Sequence, residues 1–280
     1  MVNIKKNICV IIPTHKSNLT PYELISLNAC KKQLNVYDCY LVYPNGMDTN
    51  EYTTVLDTLI LSPVNPKWLS NIENYNRMKI NIEFYYLFKK YTHLITYELD
   101  AYIFNSELNH YPTFLFDFIG APLFENYINA SYDDIFIKGC NSGFSVRNVQ
   151  SCINVLQNID SYYNHWKFYC LFCVKFPILR SILNRLTMRK YEIFLYGELG
   201  IFFGGDFFTN EDMVWSRIVP RLFPFFKVAD SINASKFSFE FNPYRLFQIN
   251  DEKLPLGCHA WHKNLLFWQK FIPESIEINS

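Results

Sequence analysis

The sequence lacks an excess of charge of either sign. It contains 26 lysine and arginine residues and 26 aspartate and glutamate residues, so its formal net charge is zero. A protein that holds nucleic acid through the phosphates needs a basic surface, and the overall balance supplies none. We therefore expect no nucleic acid among the partners.

The sequence also lacks long apolar runs and any regular spacing of cysteines. No uninterrupted apolar run reaches the ~20 residues of a membrane-spanning helix, and residues 1–6 are too short and polar a stretch for a signal peptide. The eight cysteines are scattered, and the Cys170-x-x-Cys173 pair has no second pair or histidine cluster nearby to complete a zinc site. These absences predict a protein of the reducing cytoplasm with free thiols.

The sequence does contain apolar residues in the patterns of an α/β fold. Half of the residues are hydrophobic, which is enough core for one large domain or two small ones. Residues 8–12 form a β-branched apolar run, which predicts a strand buried on both faces. A capping box at residues 20–23 predicts the start of a helix with Leu24, Leu27 and Leu34 on its buried side.

A second strand is predicted at residues 40–43, so the chain begins with a strand–helix–strand unit and a parallel sheet. In such sheets, ligands bind beyond the carboxyl ends of the strands. Thr14, His15 and Lys16 directly follow the first strand. We therefore expect these three residues to line a nucleotide-binding crevice.

A helix predicted at residues 71–91, with Arg77 and Lys79 outside its apolar side, leads into a strand that carries two acids. Glu98 and Asp100 lie two residues apart where an apolar run ends, so an extended chain places both on one side. Two carboxylates at the end of a buried strand cost folding free energy unless a cation binds them, and that cation is usually a divalent metal ion. A solvated strand end, with the acids capping a loop, explains the pair equally well at this point.

Two later segments fit either a ligand site or ordinary structure. Gly139 and Gly143 flank residues 140–142, and glycines let the backbone approach a ligand closely. A turn between strands is the alternative. Glu211 and Asp212 precede an apolar run, where two acids either stabilise the start of a helix or supply a general base.

Histidines and an indole ring stand close together near the end of the chain. His259 or His262 could bind a metal, and Trp261 could offer an aromatic face to a sugar. A lone histidine in an apolar run is more often structural, so both interpretations stay open.

Residues 165–190 carry basic side chains and no acid. Pro177 predicts the start of a helix with an apolar stripe, and Arg180, Arg185 and Arg189 fall outside that stripe. A basic amphipathic helix of this kind either lies on an anionic membrane surface or packs on its own domain with the arginines in solvent.

Seven short motifs occur in order along the chain, and together they resemble a known family. The motifs are Ile11-Ile12-Pro13-Thr14-His15-Lys16, Tyr75-Asn76-Arg77, Glu98-Leu99-Asp100-Ala101-Tyr102, Ile119-Gly120-Ala121-Pro122, Asn141-Ser142-Gly143-Phe144-Ser145, Asn210-Glu211-Asp212 and Gly257-Cys258-His259-Ala260-Trp261. They resemble a bacterial family of GT-A-type glycosyltransferases, long known only as a domain of unknown function and often encoded near surface-polysaccharide genes. The resemblance covers residues 8–271.

The resemblance implies a role for each motif. Asp100 would bind Mn²⁺ or Mg²⁺, with Glu98 and His259 as further ligands; family members often carry Gln at the position of Glu98, which makes Asp100 the firmer assignment. Asp212 matches the catalytic base of inverting GT-A enzymes, and Glu211 is the alternative. The implied donor-binding residues are Pro13, Thr14, His15, Arg77, Asn141, Ser142 and Gly143, and the implied acceptor-binding residues are Trp261 and His262.

Residues and resemblance together predict an α/β protein with a GT-A-like, Rossmann-like mixed sheet, mostly parallel and flanked by helices, with a basic helical insertion at 165–190. One domain would span 1–280, with a nucleotide-sugar-binding half at about 1–150 and an acceptor half at about 191–272. The implied activity is inverting, metal-dependent transfer of a hexose from a UDP- or GDP-sugar to a hydroxyl of a surface glycan or lipid-linked acceptor. The protein would work in the cytoplasm, with residues 177–190 contacting the inner face of the membrane. A retaining transferase and a non-catalytic carbohydrate- or nucleotide-binding module are the alternatives.

Overall fold

The computed structural model describes residues 8–126, 131, 134–187 and 210–276. The strands are β1 (Ile8–Pro13), β2 (Asp38–Pro44), β3 (Ile60–Val64), β4 (His93–Tyr97), β5 (Tyr102–Ile103), β6 (Phe118–Ile119), β7 (Pro122–Phe124), β8 (Phe136–Cys140), β9 (Phe144–Asn148), β10 (Ser238–Phe239) and β11 (Gly257–Cys258). The helices are α1 (Pro21–Leu34), α2 (Asn50–Val55), α3 (Ile72–Lys79), α4 (Ile82–Leu87), α5 (Val149–Lys175), α6 (Pro177–Leu186), α7 (Glu211–Met213), α8 (Val219–Leu222), α9 (Ser231–Phe237), α10 (Pro243–Ile249) and α11 (Leu265–Trp268). A π-helical turn, Val214–Ile218, joins α7 to α8.

Six strands form the central sheet in the order β3-β2-β1-β4-β9-β6. β1 pairs in parallel with β2 and β4, and β2 pairs in parallel with β3. β9 runs antiparallel to both β4 and β6. Every residue of β1 is buried, because the strand lies inside the sheet and helices cover it, which explains its uninterrupted apolar sequence. The predicted mixed, mostly parallel sheet is confirmed.

Helix α1 begins where the sequence predicts. The capping box at residues 20–23 is present in both directions, so two backbone N–H groups at the start of the helix are satisfied. Leu27 and Leu34 are fully buried, but Leu24 is 39% exposed. The prediction for Leu24 was wrong because Cys30, rather than Leu24, completes the buried stripe.

The helix predicted at residues 71–91 is interrupted and forms two helices, α3 and α4. The side chain of Asn81 accepts a hydrogen bond from the backbone N–H of Glu83, so a new N-cap starts α4 in the middle of the segment. The break changes which side chains are buried. Lys79, predicted outside the apolar side, is 1% exposed.

A second, smaller sheet has the order β10-β11-β5. β11 runs antiparallel to β5, with Cys258 opposite Tyr102. This pairing brings the residues after β11 beside the residues before β5. An aromatic core under this sheet includes Trp261 and Trp268, both fully buried.

Helices α5 and α6 follow the central sheet, and α6 begins at Pro177 as predicted. Arg189 and Lys190, which the sequence assigns to the same basic segment, lie outside the described residues. Over the part of the chain that the structure describes, none of the helices combines the length and apolar character that crossing a bilayer demands.

Candidate active site

Three potential metal ligands meet at the carboxyl end of β4. Glu98 and Asp100 follow β4, and His259 follows β11, whose pairing with β5 carries it to the acid pair. His259 Nε2 lies 2.9 Å from Asp100 Oδ1 and 3.4 Å from Glu98 Oε2. The three groups offer ligand atoms that all lie within 4.8 Å of one another.

The cluster has both the spacing and the unsatisfied atoms expected of a cation site. Neighbouring ligands in an octahedral Mg²⁺ shell lie about 3 Å apart, close to the separations between His259 and the two carboxylates. His259 is buried, yet neither of its ring nitrogens completes a well-aligned hydrogen bond. Carboxylate oxygens suit Mg²⁺ and Mn²⁺, and an imidazole favours a transition metal. The residues therefore fit Mn²⁺ or Mg²⁺.

The charges of the cluster keep its carboxylates ionised. Burial opposes protonation of His259, but the carboxylates of Asp100 and Glu240 outweigh it and raise the pKa of His259 well above its usual value. Burial acts against ionisation of Asp100, yet His259 lowers the pKa of that carboxyl. Burial is likewise outweighed at Glu98, where Lys79 and His259 lower the pKa. Both acids are thus in the form that binds metals.

The two oxygens of Glu98 have different partners. Oε1 accepts a hydrogen bond from the Tyr75 hydroxyl at 2.7 Å and another from the Lys79 ammonium at 3.2 Å. Oε2 faces His259 instead. Glu98 therefore offers one oxygen to a cation while its other oxygen is held by protein groups.

A cleft of about 610 Å³ opens beside the acid pair. Pro13, Thr14 and His15, which the sequence assigns to the donor, line this cleft together with Glu98 and Asp100. Pro13 ends β1, and the other four residues follow β1 or β4, adjacent parallel strands whose carboxyl ends meet at one edge of the sheet. The cleft volume lies within the range typical of ligand pockets.

Of the two predicted acceptor residues, His262 lines the cleft and Trp261 does not. His262 lies 5.9 Å from Tyr22, measured between ring centroids, and both rings belong to the cleft wall. Trp261 is fully buried and donates its Nε1–H to the hydroxyl of Ser26 at 2.9 Å. It therefore has no exposed face on which a sugar could stack.

Four predicted donor residues also lie away from the cleft wall, namely Arg77, Asn141, Ser142 and Gly143. Arg77 is 66% exposed and pairs with Glu73 one turn earlier on α3, at 2.8 Å. Ser142 is buried and accepts a hydrogen bond from Lys79 at 2.9 Å. Neither side chain is among those that line the cleft.

Residues 141–143 form a turn between β8 and β9 that supports the cluster from behind. The Asn141 side chain accepts a hydrogen bond from the N–H of Gly143 at 2.8 Å, and the carbonyl of Gly143 accepts one from the N–H of Glu98 at 3.0 Å. The turn contacts His259 directly, because a Cβ on Gly143 would lie 2.0 Å from His259 Nε2. Glycine at this position leaves room for the imidazole.

Replacing Gly143 with Ala should therefore displace His259 from the acid pair. We expect the Mn²⁺ affinity to fall by at least about tenfold, as for other changes that misorient a ligand. Isothermal titration calorimetry with Mn²⁺ measures the change, and Ser106→Ala, at an exposed position, is the control. An unchanged affinity in Gly143→Ala would contradict the packing argument.

Glu211 is buried in a network of opposite charges. It is 1% exposed, and its carboxylate lies 2.6 Å from Lys79 Nζ and 2.8 Å from an Arg147 nitrogen. Burial acts to raise the pKa of Glu211, but Arg147 and Lys79 lower it. Because both oxygens face cations, Glu211 is poorly suited to accept a proton.

Asp212 lies in different surroundings. Burial, reinforced by the charge of Glu211, raises the pKa of Asp212 to about 7. Its Oδ1 accepts a hydrogen bond from the backbone N–H of Met213 at 2.7 Å. A carboxyl with a pKa near neutrality is suited to general base catalysis at neutral pH. Asp212 is not among the residues that line the cleft.

Sequence reasoning missed two charged residues of this region. Lys79 bonds to Glu98, Glu211 and Ser142, but on the sequence it resembles any basic residue of a surface helix. Glu240 contacts His259 and stands between two phenylalanines. An acid inside an aromatic run is a signal that could have singled it out, because a buried charge needs a partner.

The chain is similar in structure to solved glycosyltransferases. The galactosyltransferase LgtC, in complex with donor and acceptor sugar analogs, matches with a TM-score of 0.52 at 12% identity, over 96% of this chain and 95% of that one. An active-site mutant of LgtC matches with a TM-score of 0.46 at 11% identity, over 90% and 86% of the two chains. The apo-form glycosyltransferase GlyE from Streptococcus pneumoniae TIGR4 matches with a TM-score of 0.46 at 12% identity, over 91% and 54%. At this identity the first match establishes the fold alone, which is that of the GT-A glycosyltransferases.

No curated protein matches the sequence significantly. A sequence profile matches residues 59–259, which is more than half of the chain and includes Glu98, Asp100, Asp212 and His259. The profile carries the description "Protein of unknown function (DUF5672)", in agreement with the expected resemblance to a family of unknown function. The chain therefore belongs to the DUF5672 family.

Proposed function

We propose that this protein is an inverting, metal-dependent glycosyltransferase. It moves a hexose from a UDP- or GDP-sugar to a hydroxyl of a surface glycan or lipid-linked acceptor. One observation carries the proposal: Glu98 and Asp100, which contact His259, line the same cleft as Thr14 and His15. A cation site and a nucleotide-sized cleft thus coincide where α/β folds bind ligands.

Each part of the site has a role in this reaction. Glu98, Asp100 and His259 would hold the divalent cation, and a cation bound there would supply Lewis-acid stabilisation of the leaving diphosphate. Thr14 and His15 contact the nucleotide, within a donor half at about 1–150. Asp212, in an acceptor half at about 191–272, takes the proton of the acceptor hydroxyl, a step that contributes about 10²–10⁴-fold to the rate.

The first test is release of nucleoside diphosphate. With Mn²⁺, the protein should release UDP or GDP from at least one sugar in a panel of common UDP- and GDP-hexoses, and EDTA should abolish the release. A coupled assay for the free nucleoside diphosphate measures both rates. A binding module would release none from any donor, and an EDTA-insensitive rate would exclude the proposed cation dependence.

A retaining glycosyltransferase is the second candidate. One observation favours it: Asp212 is not part of the cleft wall, and a retaining reaction needs no base on the face opposite the leaving group. NMR of the anomeric proton in the product, compared with that in the donor, distinguishes the two stereochemical outcomes.

The proposal includes contact with a membrane through the end of α5 and through α6. Large apolar side chains are exposed there, namely Phe168, Leu171, Ile178, Ile182 and Leu186. Lys167, Lys175 and Arg185 are exposed among them, and no acid occurs in residues 165–190. Apolar side chains bordered by basic ones favour binding to anionic lipid.

Replacing Ile178 and Leu186 with Glu should weaken this contact. Each side chain is more than three quarters exposed, at 77% and 78%, so the changes should leave folding intact. We expect a loss of most co-sedimentation with phosphatidylglycerol vesicles. Leu115→Glu is the matched control, since Leu115 is 69% exposed outside these helices. Equal sedimentation of all three proteins would remove the membrane from the proposal.

A further inference from the structure

We infer that Glu240 is a positioning residue that holds the His259 ring in the orientation and tautomer required of a metal ligand. This inference rests on the cation site of the proposed function. The fold brings the two residues together, because Glu240 follows β10 and His259 follows β11, which pair in parallel with Phe239 opposite Cys258. The N–H of His259 also donates to the carbonyl of Phe239 at 2.9 Å.

The surroundings of Glu240 point to one partner. Its side chain is 6% exposed, and its Oε1 lies 3.2 Å from Nδ1 of His259. Its Oε2 has no hydrogen-bond partner in the described structure. A buried carboxylate is costly without a compensating contact, so this acid would be a poor choice for packing alone. Glu240 does not line the cleft, and its effect on a ligand there passes through His259.

The contact decides which nitrogen faces the acid pair. A neutral imidazole carries one N–H, and a carboxylate at Nδ1 holds the hydrogen on that nitrogen. When a cation takes the place of the hydrogen on Nε2, that nitrogen directs its lone pair towards Asp100 and Glu98, from which it lies 2.9 Å and 3.4 Å. Histidines that bind metals usually donate their second ring N–H to such a partner, and losing the partner typically costs 10–100-fold in metal affinity.

Gly143 supports the same orientation. Its missing Cβ leaves space directly at Nε2, since a Cβ there would lie 2.0 Å from that atom. Glu240 therefore holds the Nδ1 edge of the ring while Gly143 leaves the Nε2 edge free. Neither residue is a predicted metal ligand, and together they explain why His259 can serve as one.

The test compares the full-length protein with two variants, Glu240→Leu and Glu240→Gln. Free Mn²⁺ is measured by electron paramagnetic resonance at pH 8.0, where protons compete less for the imidazole. Glu240→Leu should bind Mn²⁺ about 10–100-fold more weakly. Glu240→Gln should show a smaller loss, because an amide oxygen, also an acceptor, remains beside Nδ1. Glu83→Leu, at an exposed acid on α4, is the control and should bind as the wild type does.

A second readout reports the tautomer directly. Long-range ¹H–¹⁵N spectra of the Mg²⁺-bound protein should show His259 protonated at Nδ1 in the wild type and in Glu240→Gln. The same spectra should show loss of that single form in Glu240→Leu. If Glu240→Leu does not fold, as judged by circular dichroism, Glu240→Gln alone provides the test. A small loss of Mn²⁺ affinity with His259 still protonated at Nδ1 supports the positioning role, and loss of that single form contradicts it.

The outcomes separate this inference from the proposed function. Equal Mn²⁺ affinity in the wild type and both Glu240 variants would overturn the positioning role and leave the cation site standing. Equal losses in Glu240→Gln and Glu240→Leu would also overturn it, because charge rather than orientation would then be responsible. A wild-type protein that binds no Mn²⁺ would remove the cation site itself.

Discussion

Replacing Asp212 with Asn should reduce sugar transfer by about 10²–10⁴-fold, the usual contribution of a general base. Asn keeps the size of the side chain but cannot accept the proton of the acceptor hydroxyl. Binding of UDP or GDP should stay near the wild-type value, because Asp212 does not line the cleft. The rate of transfer and a calorimetric titration with nucleotide measure the two effects separately.

The pH dependence of the reaction should identify the same group. Burial and the charge of Glu211 raise the pKa of Asp212 to about 7, and only the ionised form accepts a proton. The transfer rate should therefore rise with pH through about 7 and then level off. The residual rate of Asp212→Asn should lack this step.

A stability measurement tells a catalytic loss from a folding defect. An acid whose pKa is raised on folding destabilises the native state once both states are ionised, so the wild type should lose stability as the pH rises from about 4 to above 7. Asp212→Asn removes that loss, and its thermal stability at pH 8 should equal or exceed that of the wild type. Asp57→Asn, at an exposed position, is the matched control. An Asp212→Asn protein that transfers sugar at the native rate would refute the base assignment.

Replacing Asp100 with Asn should abolish useful binding of Mn²⁺. Asp100 lies nearest to His259 of the two acids, at 2.9 Å, and a neutral amide replaces an ionised ligand. We expect the Mn²⁺ affinity to fall by more than about 100-fold, beyond the loss typical of an outer-shell partner. Transfer should fall to the rate measured in EDTA.

Glu98→Gln provides an internal comparison for the same site. Tyr75 and Lys79 already hold one oxygen of Glu98, so only its other oxygen is available to the cation. We expect a smaller loss of Mn²⁺ affinity for Glu98→Gln than for Asp100→Asn, measured by the same titration. A larger loss for Glu98→Gln would reverse the assigned order of the two ligands.

The parts of the fold that depend on residues close together in the sequence were predictable. The apolar run of β1 and the capping box of α1 are local signals, and both occur in the structure as predicted. The break between α3 and α4 is also local, since Asn81 caps a new helix, but asparagine is common enough in helical segments for the signal to be missed. Exposure of Leu24 was not predictable, because it depends on how α1 sits against the sheet.

The candidate site likewise has features that the sequence predicts and features that depend on tertiary packing. Glu98, Asp100 and the distant His259 were each possible metal ligands on residue type, the resemblance joined them into one site, and the structure brings them together. The burial of Lys79 depends on contacts with residues far along the chain, such as Glu211. Trp261 resembles a ring for stacking on a sugar, but it is fully buried in an aromatic core. Sequence patterns report residue types, whereas burial depends on tertiary packing.

The central claim is that Glu98, Asp100 and His259 form a cation site at the nucleotide cleft. Crystals grown with MnCl₂ and either UDP or GDP, measured at the manganese absorption edge, test it most directly. The account predicts an anomalous peak within coordination distance of Asp100 and His259, and a nucleotide bound beside Thr14 and His15 with its phosphates next to that peak. A nucleotide bound in the cleft with no anomalous peak at these side chains would contradict it.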